Sequence, residues 1–254
     1  MVTSSLVSSL WSVSFFPDAR EAGGSITSLR GRSSPAWEFG PDGLLGPKVV
    51  DPQRSAVEAA RRARVRARRY SAANRLDRLG TLTYRGAGCF DYDQMIQDVH
   101  GFIVRLRAAL GGKPFPYVWV PEWHKDHGLH VHFGLSGFVH YSLIDAAWGL
   151  GRTNIKRLTN LPAGSGPLAA ARINGRYLAK YVGKAFDDRR IPGRHRYEVG
   201  RGFEPRKEIV TGFRVEHVLD ELSERVGAQP QFVWQSYETE GWQGPPSVFA
   251  SWPA

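Results

Sequence analysis

Residues 117–135 read Y-V-W-V-P-E-W-H-K-D-H-G-L-H-V-H-F-G-L. Tyr117 to Val120 and Leu129 to Leu135 are apolar or alternating, and Asp126-His127-Gly128 between them is turn chemistry, so the stretch reads as a β-hairpin. Alternate residues of a strand point to the same face. His130 and His132 therefore project together, and Leu129, Val131 and Phe133 face the core. Hairpin partners keep a constant index sum, here about 252 to 254, which sets Glu122 opposite His130 or His132 and puts all three side chains on one face. A lone His-x-His is usually incidental on a wet strand. A carboxylate opposite it, with apolar residues alternating, makes Glu122, His130 and His132 candidate ligands of a divalent ion. His124 and His127 read as turn residues. Two imidazoles and one carboxylate suit several metals. Phosphoryl chemistry favours Mg²⁺ or Mn²⁺, and the imidazoles lean toward Mn²⁺.

Around this hairpin the other elements fall into order. Leu79 to Tyr84 (L-G-T-L-T-Y) reads as a strand. Asp91 can cap a helix whose apolar face runs through Met95, Val99, Phe102, Ile103, Leu106 and Leu110 and which stops at Gly111-Gly112. After the hairpin, Ser142 can cap a short helix through Trp148, and Thr153 to Leu158 reads as a strand. A loop with Pro162, Gly164, Gly166 and Pro167 leads into a helix from about Arg172 to Phe186. The order β-α-β-β-α-β, then α, predicts an α+β fold. It is the split βαβ (ferredoxin-like, RRM-like) arrangement, an antiparallel sheet with helices on one face.

That last helix contains Y-L-A-K-Y-V-G-K at 177–184. Tyr177, Lys180, Tyr181 and Lys184 fall at i, i+3, i+4 and i+7, one helical face, while Leu178, Val182, Ala185 and Phe186 can pack on the sheet. A phenol with a pKa of about 10 is a weak nucleophile at neutral pH. A neighbouring ammonium or a metal would help it ionise and would stabilise charge on a phosphate. A single Y-x-x-K is commonplace as amphipathic packing with solvated charge; the doubled string beside a metal-like hairpin is not.

Composition bounds the rest. The 254 residues carry 34 Lys plus Arg against 24 Asp plus Glu, a net charge of +10 and a pI near 10.0, which suits a polyanionic partner. Residues 55–76 form a basic helix, six of the nine residues from Arg61 to Arg69 being arginine. Arg61, Arg62, Arg64, Arg66, Arg68 and Arg69, with Arg75, are candidates to lie along a DNA backbone, against the plainer reading of a solvated helix. One cysteine, Cys89, excludes an intrachain disulfide and a cysteine-based zinc site and is compatible with the cytoplasm. The amino terminus lacks a basic n-region and does not read as a signal peptide. No apolar run is long enough for a membrane span, and no P-loop string appears. Residues 1–50 read as a poorly ordered extension, 51–225 as the main domain and 226–254 as a tail. Within these, Arg201 to Phe213 is a candidate strand and Glu216 to Arg225 a helix. Trp148 reads as core. Trp234, Trp242 and Trp252 read as packing of the tail, with base stacking as the alternative.

On these strings the chain resembles the HUH endonucleases, and within them the rolling-circle replication initiators of plasmids and phages that carry two tyrosines. L-G-T-L-T-Y at 79–84 is similar to the first family motif, His130-Val131-His132 to the second with Glu122 as its acidic companion, and K-Y-V-G-K at 180–184 to the third. The similarity covers roughly residues 60–215. The resemblance implies the HUH endonuclease fold, Tyr181 as primary nucleophile, Lys184 as its basic neighbour and Tyr177 as a second nucleophile. It implies nicking of single-stranded or hairpin origin DNA through a 5′-phosphotyrosine link. It also implies reliance on a host helicase and single-strand binding protein, with no membrane partner. Two expectations compete with initiation: a two-tyrosine transposase with the same chemistry, and a DNA-binding initiator without catalysis. Conjugative relaxases rank lower, because their third histidine is lacking unless His127 serves.

Overall fold

A computed structural model gives the fold, and it describes residues 9–28, 37–39, 45–47, 52–124, 128–156, 161, 164–188, 196–242 and 244–254. The chain divides into two compact units, residues 56–205 and residues 1–55 with 206–253. In chain order the strands are β1 Ser9–Phe16, β2 Glu21–Ser28, β3 Trp37–Phe39, β4 Leu45–Pro47, β5 Arg78–Tyr84, β6 Tyr117–His124, β7 Gly128–Leu135, β8 Gly151–Lys156, β9 Glu198–Val199, β10 Glu208–Gly212, β11 Phe232–Gln235 and β12 Ser247–Ser251. The α-helices are α1 Pro52–Ala73, α2 Tyr92–Ala109, α3 Tyr141–Trp148, α4 Pro167–Asp187 and α5 Val215–Val226.

The unit 56–205 holds the sheet β8-β5-β7-β6-β9, with every named pair antiparallel. Strand β7 is inserted between β5 and β6, as a split βαβ requires. The fold is mixed α+β, as the element order predicts. The side chains of β7 alternate. Phe133 meets Phe102 of α2 edge-on at 5.5 Å, and Phe102 in turn meets Trp148 of α3 at 6.2 Å, so α2 and α3 lie on one face as expected. Helix α4 covers the other face, where Leu178, Tyr181, Val182 and Ala185 are buried. Gly134 makes this approach feasible: a Cβ there would lie 3.0 Å from the Leu178 methyl and 3.2 Å from Val118.

Caps set the helix ends. The Asp91 side chain accepts from the Asp93 and Gln94 amides at 2.9 and 3.1 Å, and Gly111 and Gly112 leave α2 at positive φ. The expected Ser142 cap is instead His140, whose Nδ1 accepts from the Ser142 amide. Helices α1 and α4 begin earlier than expected, with proline in the first turn, where a missing N–H costs nothing. Strand β6 runs past Pro121 to His124; β9 pairs only with Val118 and Trp119, so the proline sits beyond that pairing.

In α1 the arginines are not the packing surface. Ala60, Ala63, Ala67, Tyr70 and Ser71 are buried, whereas Arg61, Arg62, Arg64 and Arg66 are exposed. The helix passes α4 at Gly175, where a Cβ would lie 3.0 Å from the Arg68 carbonyl oxygen.

The other unit corrects the expectation of a poorly ordered extension and a separate tail. Residues 9–28 form β1 and β2, and these join the sheet β10-β1-β2-β12-β11. W-S-V-S-F alternates, so Trp11, Val13 and Phe15 are buried on the face covered by α5 with Val215, Val218 and Leu222. Trp252 is fully buried against Phe15 and donates to the Ser223 hydroxyl at 3.2 Å. Residues from both ends of the sequence thus build one sheet, which a division by composition into 1–50, 51–225 and 226–254 separates.

Candidate active site

The hairpin register has the expected even sum: Glu122 pairs with His130, and His132 with Val120 across β6 and Thr81 across β5. Glu122, His130 and His132 therefore share the face that α4 covers. His132 is buried at 6% exposure. Its Nε2 lies 2.7 Å from Glu122 Oε2 and its Nδ1 3.1 Å from Thr81 Oγ1. Thr81 thus fixes the ring plane from behind while Glu122 meets it in front. The second Glu122 oxygen accepts from Lys184 Nζ at 2.7 Å. Burial opposes ionisation of this carboxyl, but the hydrogen bonds and charges of His132 and Lys184 outweigh it and pull its pKa down to about 2. Glu122 is a carboxylate throughout the neutral range.

His130 lies on the same face, its Nε2 shielded from solvent and its ring stacked at 5.0 Å on His124, the expected turn residue, now at the end of β6. Among the described residues no three His, Cys, Asp or Glu side chains form a group able to share one ion. His127 lies outside the described residues. Glu122 and His132 already touch, and His130 is the neighbouring imidazole on that face. The donor types suit a divalent ion, and the imidazole held from behind at Nδ1 is the arrangement metal-binding histidines use.

Helix α4 delivers the tyrosines. Tyr181, 8% exposed, stacks on His132 with centroids 3.7 Å apart and planes 27° apart. Its hydroxyl and that of Tyr177 are 2.8 Å apart. Burial, the Tyr177 hydrogen bond and the Glu122 charge all raise the Tyr181 pKa, so the phenol is protonated at neutral pH in this arrangement. Lys184 Nζ stands 4.9 Å from the centre of the Tyr181 ring and Lys156 Nζ 4.6 Å from that of Tyr177.

The predicted face of four residues divides. Tyr177 and Tyr181 turn toward the sheet and the Lys184 ammonium reaches Glu122, while Lys180 is exposed. One residue is about 100° of helix, so Lys180 and Tyr181 cannot both face the same rings. Of the arginines, Arg68 and Arg69 are half-buried. Arg75 has φ 54° and gives its guanidinium to the Ala72 carbonyl at 2.7 Å, finishing α1. Thr81 and Lys156 are site residues that sequence reasoning does not single out. The only available signal for Thr81 is its place in a strand beside the histidines, and nothing local marks Lys156.

Residues 77–186 match the model of a family of replication-associated proteins, the ORF2 type. The matched segment runs from the residue before β5 to the last turn of α4. It contains Thr81, Glu122, His130, His132, Lys156, both tyrosines and Lys184, and supports a role in DNA replication. No curated protein and no solved structure gives a significant match. Among the described residues, no helix is long and apolar enough to cross a membrane.

Proposed function

We propose that the chain is a replication initiator that nicks and rejoins single-stranded origin DNA through tyrosine. The observation that carries this reading is the stack of Tyr181 on His132, with Tyr177 2.8 Å away and the Glu122 carboxylate on the same imidazole. A nucleophile-bearing helix and a set of metal-type donors meet on one buried sheet face within the replication-associated segment.

In this reading Glu122, His130 and His132 hold Mn²⁺ or Mg²⁺. Such an ion, when bound, polarises the non-bridging oxygens of the scissile phosphate. Thr81 keeps the His132 ring in plane. Tyr181 Oη forms the new bond to phosphorus, the bond to the 3′ oxygen breaks, and the phenol proton is replaced on the departing 3′ hydroxyl. The products are a 5′-phosphotyrosine and a primer end. No bond energy is lost to water, so the strand can be rejoined. Lys184 brings positive charge to the ring that must become a phenolate, whose ionisation the apo site opposes. Tyr177, hydrogen-bonded to Tyr181, is placed for a second transfer. The exposed arginines of α1 contribute phosphate contacts, and a host helicase and single-strand binding protein would open and cover the strand.

The test is a denaturing gel of purified protein incubated with Mn²⁺ and end-labelled single-stranded DNA from the candidate origin of its own replicon. A labelled protein–DNA adduct, lost in EDTA and in the Tyr181→Phe/Tyr177→Phe double variant, is the expected result. DNA binding without any adduct would instead leave a non-catalytic initiator.

A further inference from the structure

The repeated spacing of Tyr177, Lys180, Tyr181 and Lys184 gives each tyrosine a lysine three residues on. The folded helix keeps only one of these pairings. Lys184 stands over the Tyr181 ring and binds Glu122, whereas Lys180 is exposed. The ammonium over Tyr177 comes from a different element, the last residue of β8.

Strand β8 lies at the sheet edge and pairs only with β5. Its register sets Lys156 opposite Leu79, Asn154 opposite Thr81 and Arg152 opposite Thr83. Thr81 and Thr83 pair with His132 and His130 on the other side. Arg152, Asn154 and Lys156 therefore share the face of the metal-type donors, and all three are exposed. Among the described residues no carboxylate pairs with Lys156. Lys184 differs, because its charge is already committed to Glu122 at 2.7 Å.

We infer that Lys156 is the phosphate-binding cation for Tyr177, so that the two tyrosines are served by lysines from different elements, and that Arg152 and Asn154 continue this contact to the next part of the same single strand. The inference rests on the nicking function proposed above. An exposed ammonium 4.6 Å from the Tyr177 ring centre, with no carboxylate partner among the described residues, can hold a non-bridging phosphate oxygen beside the Tyr177 hydroxyl without breaking an ion pair. In the step that Tyr177 performs, its Oη bonds to phosphorus, the bond from phosphorus to the leaving oxygen breaks, and the proton lost by the phenol is balanced by the one gained by that oxygen. When the leaving oxygen is that of Tyr181, the strand passes from one tyrosine to the other.

The experiment compares adduct formation in two backgrounds of the full chain, Tyr181→Phe, where only Tyr177 can attack, and Tyr177→Phe, where only Tyr181 can. The substrate is the same labelled origin strand with Mn²⁺. The ratio of the two rates is read with Lys156 intact and with Lys156→Gln. The expected result is a fall in that ratio on the order of 10- to 100-fold, the worth of one charge-assisted contact, with recovery in Lys156→Arg. Recovery by arginine separates a lost charge from a damaged strand. An unchanged ratio, or a fall that Lys180→Gln reproduces, overturns the inference. So does a Tyr181→Phe protein that forms no adduct while the parent protein does. A parent protein that forms no adduct at all overturns the nicking function, and this inference with it.

Discussion

Tyr181 lies on His132 with ring centroids 3.7 Å apart, and His132 is held edge-on by Glu122 and Thr81. The tyrosine is therefore both part of the core and the proposed nucleophile, and two substitutions separate these roles. Tyr181→Phe keeps the stack and removes the hydroxyl. It should cost about 0.5–1.5 kcal/mol, the worth of one hydrogen bond, and leave only whatever adduct Tyr177 makes. Tyr181→Ala removes a buried ring and should cost about 3–5 kcal/mol. Urea unfolding and the adduct gel check the two halves. Equal destabilisation by both variants would contradict the packing role.

Thr81→Val tests whether the hydroxyl behind His132 matters. The shape is kept, so the fold should persist. With Nδ1 no longer anchored at 3.1 Å, affinity for Mn²⁺ should fall by about 10- to 100-fold, as for loss of other groups that orient a metal-bound histidine. Titration calorimetry with Mn²⁺ alone measures this. Unchanged affinity would mean that His132 does not hold the ion.

Gly134 controls how closely α4 approaches β7. The Cβ of Gly134→Ala would lie 3.0 Å from Leu178 and 3.2 Å from Val118, both fully buried. Neither neighbour can give way into solvent, so the substitution should cost about 1–3 kcal/mol, as overpacking does. It should also slow adduct formation, because Leu178 and Tyr181 are successive contacts of one helix face. A more stable Gly134→Ala protein would show that α4 has slack.

Much of this site was legible because it rests on local periods. The alternation L-H-V-H-F and the turn after Lys125 were enough to set the index sum that the register shows, and Asp91 and Gly111 marked the ends of α2 by their own chemistry. What failed was non-local or angular. Strand β1 looks polar, because serines alternate with Trp11, Val13 and Phe15, and its partner β10 lies about two hundred residues on, as does β12, which pairs with β2. Lys180 was grouped with Tyr181 because i, i+3, i+4 and i+7 span a broad sector, and packing decides which edge of that sector is buried. Lys156 comes from another element, and only the sheet register brings it to Tyr177.

Glu122 gives the apo protein a pH dependence of known sign. Its pKa is lowered from 4.5 to about 2, so the folded state holds its carboxylate while the unfolded chain takes up a proton. The stabilisation is fully present above about pH 4.5 and is lost as the pH falls through about 2, with an upper bound of about 3 kcal/mol. In EDTA, the difference in unfolding free energy between the parent protein and Glu122→Gln should shrink steadily over that window. A difference independent of pH would mean that the ion pairs with His132 and Lys184 do not form in solution.

The arginine helix offers a test that needs no chemistry. Arg62, Arg64 and Arg66 are exposed, and the alanines between them carry the packing, so exchanging these three for glutamine should leave the fold intact. If each neutralises a phosphate of a single strand, each contributes about 0.7 to the slope of log affinity against log salt. The triple variant should then bind origin DNA less tightly at low salt, with a slope shallower by about 2, while Mn²⁺ binding is unchanged. Arg61, already paired with Glu58 at 3.0 Å, should contribute less than its neighbours. Fluorescence anisotropy across a salt series measures both quantities. An unchanged slope would make α1 a solvated brace for α4 and leave the phosphate contacts to the sheet face.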